Sequence, residues 1–142
     1  MRCKLIIFDW NGTLSTGLAI NNQQITDLYP GVIELVKELD SKGYLLAIAS
    51  NMSARFLQHE LEYHQISKYF IRLATADRLA MKPHPAMILD LADFAGVDLA
   101  EVVMIGDSAG DMQAAANAGC AGVLVSGENI IPKLRSFLDG SA

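Results

Sequence analysis

Five apolar runs punctuate the chain, and polar residues or turns close them. Lys4–Phe8 runs into Asp9, YLLAIA (44–49) into Ser50 and Asn51, and EVVMIG (101–106) into Asp107. YFIRLA (69–74) and AGVLVSG (121–127) are the other two. Each has the length and composition of a buried strand. Helical periodicity fills the intervals. Pro30-Gly31 opens a segment in which Val32, Leu35, Val36 and Leu39 share one face, and Gly43 is placed to stop it. Ser53 is placed to cap a helix with Phe56, Leu57 and Leu61 inward. Pro83 or Pro85 starts a helix containing Met87, Ile88, Leu91 and Phe94, which stops near Gly96. DMQAAANAG (111–119) reads as a helix of small residues, and Ile130–Leu138 as a closing helix.

Strands alternating with helices imply right-handed crossovers and a parallel sheet. Near-continuous apolar strands fit a sheet covered on both faces. The expectation is one α/β domain over residues 1–142, a three-layer doubly wound parallel sheet. Such sheets bind ligands beyond the carboxyl ends of their strands. Asp9, Ser50-Asn51 and Asp107 fall at those ends, and Lys82 lies on the loop after the third strand.

Bulk properties narrow the partners. The chain has 142 residues, 51% hydrophobic, which suits one core. A formal charge of −5 argues against a broad nucleic-acid surface. The longest apolar runs fall short of a membrane span, and the first ten residues lack a secretory pattern. A cytoplasmic protein without membrane or nucleic-acid partners is therefore expected. Cys3 and Cys120 lack metal-ligand spacing and read as reduced core thiols.

The candidate chemistry is concentrated in Asp9, Ser50, Lys82, Asp107 and Asp111. Clustered carboxylates raise one another's pKa unless a cation intervenes, and one lysine cannot neutralise three. An oxygen-rich pocket of this kind suits Mg²⁺. A hydroxyl, a tight backbone turn and a lysine are usual companions of a phosphoryl group. The residues alone thus suggest Mg²⁺-dependent phosphoryl transfer with an aspartate as nucleophile. His59 and His64 are assigned to the surface. Trp10 either walls the site or packs, and His84, between two prolines, reads as a loop histidine without a role.

Four segments in order resemble the haloacid dehalogenase-like hydrolase superfamily: IIFDWNGTL, AIASN, MKPHP and MIGDSAGDMQAAANAG. The last is most similar to small phosphoglycolate-phosphatase-like members. The resemblance implies that Asp9 forms an aspartyl-phosphate and binds Mg²⁺, and that Asn11 offers its backbone carbonyl to the metal. It implies that Ser50, Asn51, Gly12 and Thr13 bind the phosphoryl group, and that Lys82 stabilises its charge. Asp107 and Asp111 would complete the metal site, Asp111 directly, through water, or by orienting Lys82.

One position departs from the family pattern. Its second motif-one aspartate, a general acid and base, is Asn11 here, and an amide does neither. Such assistance is worth roughly 10²–10⁴ in rate. Three readings stay open. The enzyme works on leaving groups that need little protonation, or with help from water or His84. Turnover is slow, leaving a lasting phosphoenzyme or a phosphate-binding or regulatory module. Or the Asn11-Gly12 pair deamidates to Asp.

Neither the interval from Asp9 to Ser50 nor that from Ser50 to Lys82 has room for a cap domain; LSTGLAINNQQ (14–24) would supply a small flap. An open site implies either a homo-oligomer that covers it or a large substrate. Partners are therefore expected to be a small phosphorylated substrate or a phosphorylated macromolecule.

Overall fold

The computed structural model describes residues 2–20 and 25–141. In chain order the strands are β1 (Leu5–Phe8), β2 (Ser15–Ala19), β3 (Thr26–Leu28), β4 (Leu45–Ser50), β5 (Arg72–Thr75), β6 (Val102–Gly106) and β7 (Ala121–Leu124). The helices are α1 (Val32–Ser41), α2 (Ala54–Tyr63), α3 (Ala86–Ala95), α4 (Ala109–Ala118) and α5 (Ile130–Ser141). The main sheet is parallel, in the order β5-β4-β1-β6-β7. β1 lies at its centre, with Phe8 level with Ile48 and Ile105. That register brings the ends of β1, β4 and β6 together on one edge.

Alternation along the central strands builds two cores. Ile6, Phe8, Leu46, Ile48, Val103 and Ile105 pack with residues of α1, α2 and α5. Leu5, Ile7, Ala47, Ala49, Val102 and Met104 pack against α3 and α4. Small residues on α4, among them Ala114, Ala115 and Ala118, belong to this second core. This is the expected three-layer α/β arrangement. Among the described residues no domain is inserted between the elements, and no helix is long and apolar enough to cross a membrane.

The structure corrects several details. The segment read as a flap is an antiparallel hairpin, β2 with β3. Its expected residues 21–24 lie outside the described residues. The third strand of the main sheet covers 72–75, because residues 67–69 form a 3₁₀ turn. The strand expected over 121–127 ends at Leu124. Phe56 is 53% exposed, since the inward face of α2 carries Leu57, Glu60 and Leu61. Phe94 also points outward, with the Arg72 guanidinium 4.6 Å from its ring centre. Ser53 stands at the N-terminus of α2 without a side-chain cap; the Ala54 N–H donates to Asp77 Oδ1 instead, at 3.0 Å. The small-residue helix starts at Ala109, two residues early, because Ser108 caps it. His59 is exposed as expected, whereas His64 is half-buried and its Nε2 meets the Thr26 carbonyl at 2.8 Å. Cys3 and Cys120 are free thiols, both pushed up to about 11 by burial.

Candidate active site

Asp9 follows the last residue of β1, and its N–H donates to Ile105 O at 2.9 Å, so the chain leaves the sheet still anchored to β6. A compact turn comes next. Trp10 O accepts the N–H groups of Thr13, Leu14 and Ser15 at 3.2, 3.0 and 3.0 Å, and the Gly12 N–H donates to Ser15 O at 2.7 Å. Gly12 makes the turn with φ +83, and a Cβ there would overlap the Asp107 carboxylate. Gly106 plays the same spatial part on β6, where a Cβ would overlap Asp111. Two missing side chains thus make space for two carboxylates. Gly12→Ala is expected to cost on the order of 2 kcal/mol or more, from the left-handed backbone and the collision together. Urea unfolding checks this, and an unchanged midpoint would contradict it.

Lys82 reaches in from the loop after β5 and is 8% exposed. Its Nζ lies 2.5 Å from Asp111 Oδ1 and 3.0 Å from Asp9 Oδ1, and donates to Ala49 O at 2.9 Å. An ammonium has three hydrogens, and each has a partner here. The backbone is fixed as well: the Lys82 N–H donates to Asn51 Oδ1 at 3.1 Å. That bond engages the amide oxygen of Asn51, a residue that lines the cavity. Ser50 is buried at the end of β4, and its Oγ accepts the Met52 N–H at 3.1 Å.

Asp111 is held by its own helix start. Ser108 Oγ accepts the Asp111 N–H at 3.2 Å, and Asp111 Oδ2 accepts from Ser108 N and Oγ at 3.2 and 2.9 Å. This reciprocal cap leaves Oδ1 for Lys82. The sequence reading missed Ser108, though Ser-x-x-Asp at a helix start is the signal for such a cap. Thr13, fully buried, points its Oγ1 at Asp107 Oδ1, 3.4 Å away.

Oxygen atoms of Asp9, Asp107 and Asp111 all lie within 4.8 Å of one another. Burial pushes the Asp9 carboxyl up to about 7, against the pull of Lys82 and with the Asp111 charge adding to the rise. Three carboxylates against one ammonium are short of positive charge. An all-oxygen donor set of this kind fits a hard divalent cation.

The cavity above these groups measures about 360 Å³. Its lining includes the expected Asp9, Asn11, Ser50, Asn51, Lys82 and Asp111, together with Met52, Ser108 and Gly110. Asp107 is exposed, with its carboxylate within 4.8 Å of those of Asp9 and Asp111, and Gly12 and Thr13 are joined to it through the close Gly12 approach and the Thr13 hydroxyl. Two residues fall outside this group. Trp10 is fully buried in the core, and its Nε1 donates to Glu60 Oε2 at 3.0 Å, so it packs and does not wall the cavity. His84 is exposed, and its Nδ1 accepts the Ala86 N–H at 3.0 Å within its own turn.

Residues 9–125 match a family model described as haloacid dehalogenase-like hydrolase. The phosphoglycolate phosphatase of Vibrio parahaemolyticus is 38% identical over 104 residues, which cover 72% of this chain and 46% of that protein. The chain thus spans just under half the length of the curated relative. Among solved structures, a hydrolase of the same superfamily from Ehrlichia chaffeensis superposes with a TM-score of 0.83 at 21% identity, covering 99% of this chain and 98% of the other, a likeness of fold. A structure described as a predicted phosphoglycolate phosphatase from Haemophilus somnus gives 0.68 at 34% identity, covering 81% of this chain and 52% of the other.

Proposed function

The chain belongs to the haloacid dehalogenase-like hydrolase family, and from that premise we propose that it is a Mg²⁺-dependent phosphatase working through an aspartyl-phosphate on Asp9. One observation carries the reading: Asp9, Asp107 and Asp111 converge within 4.8 Å beside a lysine whose ammonium spans Asp9 and Asp111. A carboxylate oxygen of Asp9 attacks phosphorus, the bond from phosphorus to the leaving group breaks, and the leaving group departs with the electron pair. Water then attacks the same phosphorus, the bond to Asp9 breaks, and inorganic phosphate is released. Lys82 holds Asp9 in position and opposes the negative charge gathering on the phosphoryl oxygens. Ser50 Oγ–H and the Asn51 NH₂ supply neutral donors to the same oxygens, with the Gly12-Thr13 turn on the other side.

Asp9, Asp107, Asp111 and the Asn11 carbonyl are the residues that would hold Mg²⁺. The ion supplies charge neutralisation for the transferring group. The substrate class is a phosphomonoester or an acyl phosphate. Among the described residues no domain is inserted between the elements, so a second copy of the chain covering the cavity, or a large phosphorylated substrate, fits the open geometry.

A second reading has its own observation. Asn11 is exposed and lines the cavity, and the titratable groups in that lining are Asp9, Lys82 and Asp111, with both carboxylates paired to the Lys82 ammonium. A phosphate-binding or regulatory module with weak turnover follows if none of them serves the leaving group.

The test is turnover of p-nitrophenyl phosphate and acetyl phosphate with Mg²⁺ and with a chelator. The reading expects turnover with Mg²⁺ and its loss on chelation; equal rates in both would contradict it. A pH dependence accompanies this. The Asp9 carboxyl is raised from 3.8 to about 7 in the folded chain, so between those values the folded chain keeps a proton that the unfolded chain has released. The metal-free protein therefore loses stability as pH rises through that window. Mg²⁺ is expected to raise Tm more at about pH 8 than at about pH 5. Thermal scans at both pH values check it, and an equal or reversed shift would count against a metal on Asp9.

A further inference from the structure

We propose that Glu60 is a positioning residue that sets the nucleophile turn from beneath, by fixing the Trp10 indole and the inner edge of the β2–β3 hairpin. Glu60 sits on α2, the helix that follows Ser50 and Asn51, and is only 3% exposed. Its neighbours on the inward face are Leu57 and Leu61. A leucine there would be buried without loss of hydration, whereas a carboxylate needs donors to offset its desolvation. Glu60 has them in full. Oε2 accepts Trp10 Nε1–H at 3.0 Å, and Oε1 accepts the Thr26 N–H at 2.7 Å and the Thr26 hydroxyl.

The two oxygens hold the turn by two routes. The first is direct: Trp10 is the residue after Asp9, and its carbonyl is the hub that accepts three N–H groups of the turn. The second passes through the hairpin. The Thr26 hydroxyl gives its hydrogen to Glu60, so in its 2.5 Å contact with Ser15 Oγ it is the acceptor. Ser15 Oγ in turn accepts the Gly17 N–H at 3.0 Å, and the Ser15 carbonyl accepts from Gly12. Both routes therefore end on residues 10–15, the segment that aims Asp9 and the Asn11 carbonyl. His64, just past α2, adds a third hold on the hairpin by donating from Nε2 to Thr26 O at 2.8 Å. The helix that follows the phosphate-side donors Ser50 and Asn51 and the turn that follows the nucleophile are thereby locked to one another through a buried carboxylate.

The activity readout rests on the phosphatase reading above; two others do not. Glu60→Gln keeps size but places an NH₂ against one of the N–H donors. Trp10 is the chain's single tryptophan, so its indole N–H gives one isolated NMR resonance. In Glu60→Gln we expect that resonance to move, and amide exchange at Thr13, Leu14 and Ser15 to quicken about tenfold or more while β1 and β4 amides keep their rates. We expect kcat on p-nitrophenyl phosphate to fall about tenfold or more with KM within about threefold, because a misaimed nucleophile slows the step more than binding. A purely structural Glu60 would quicken exchange evenly across the sheet and leave kcat of the folded fraction unchanged, which would overturn the proposal. Trp10→Phe removes the indole donor and leaves Glu60 with Thr26, covering the case in which Glu60→Gln does not fold. It should show the same selective exchange and the same kcat loss, and wild-type behaviour in Trp10→Phe overturns the proposal as well. A wild-type protein without phosphatase turnover defeats the phosphatase reading alone, and the resonance and exchange measurements still decide the role of Glu60.

Discussion

Asp9→Asn is expected to remove the proposed phosphatase turnover, on the order of 10⁴-fold or more, and to leave the fold in place. Loss of a covalent nucleophile takes away the route itself, so the residual rate comes from binding and electrostatics alone. The amide is nearly the same size as the carboxyl and still offers Lys82 Nζ an oxygen. Lys82 also keeps Asp111 and Ala49 O. Stability should move the opposite way from activity. Burial holds the Asp9 carboxyl up to about 7, so near pH 8 the metal-free chain carries an ionised group that its surroundings disfavour. The neutral amide relieves that cost, and Tm of metal-free Asp9→Asn should exceed that of the wild type near pH 8. Turnover and thermal scans on the same preparations check both halves. Wild-type turnover in the variant would remove Asp9 from the mechanism.

Asn11→Asp should have the second-largest effect, in the gaining direction. Asn11 is exposed at the cavity two residues from the nucleophile, and the two carboxylates lining that cavity, Asp9 and Asp111, are both paired to Lys82. An alcohol leaving group needs a proton as its bond to phosphorus breaks, and the water that releases phosphate needs a base. Acid–base help of this kind is worth roughly 10²–10⁴. An acyl phosphate departs as a carboxylate and gains little from an acid. The expected result is a rise of that size for an alkyl phosphate and a much smaller one for acetyl phosphate. A gain confined to the alkyl ester would mark the wild-type chain as slow on ordinary esters, and the regulatory reading would strengthen for them. No gain on either substrate would mean the proton is handled by another group.

The sequence made the sheet and its functional edge legible for a simple reason. Parallel strands are short apolar runs, and a polar residue closing such a run marks the carboxyl end; Asp9, Ser50 and Asp107 all follow that rule. Helix faces were legible where apolar spacing was clean, as at Val32, Leu35, Val36 and Leu39, all buried. The hairpin was hidden because β2 reads Ser-Thr-Gly-Leu-Ala, with little apolar alternation and mostly exposed positions beyond Ser15. Phe56 misled because a phenylalanine beside Leu57 looks like core, while a glutamate took the inward position. Glu60 was hidden for the converse reason. A charged residue on a helix reads as solvated, and its donors, Trp10 and Thr26, are distant in sequence. Ser108 was recoverable from its spacing to Asp111, and Lys82 from its place after the third strand. The approach of Lys82 to two aspartates is a tertiary fact that no local pattern encodes.

In the proposed mechanism the phosphoryl group passes through Asp9. The most direct measurement mixes the protein with Mg²⁺ and acetyl phosphate, quenches in acid, and maps the peptides by mass spectrometry. One phosphoryl group is expected on the peptide containing Asp9, labile to base and hydroxylamine and absent in Asp9→Asn. Turnover without that adduct under rapid quench, or an adduct on another residue, would contradict it.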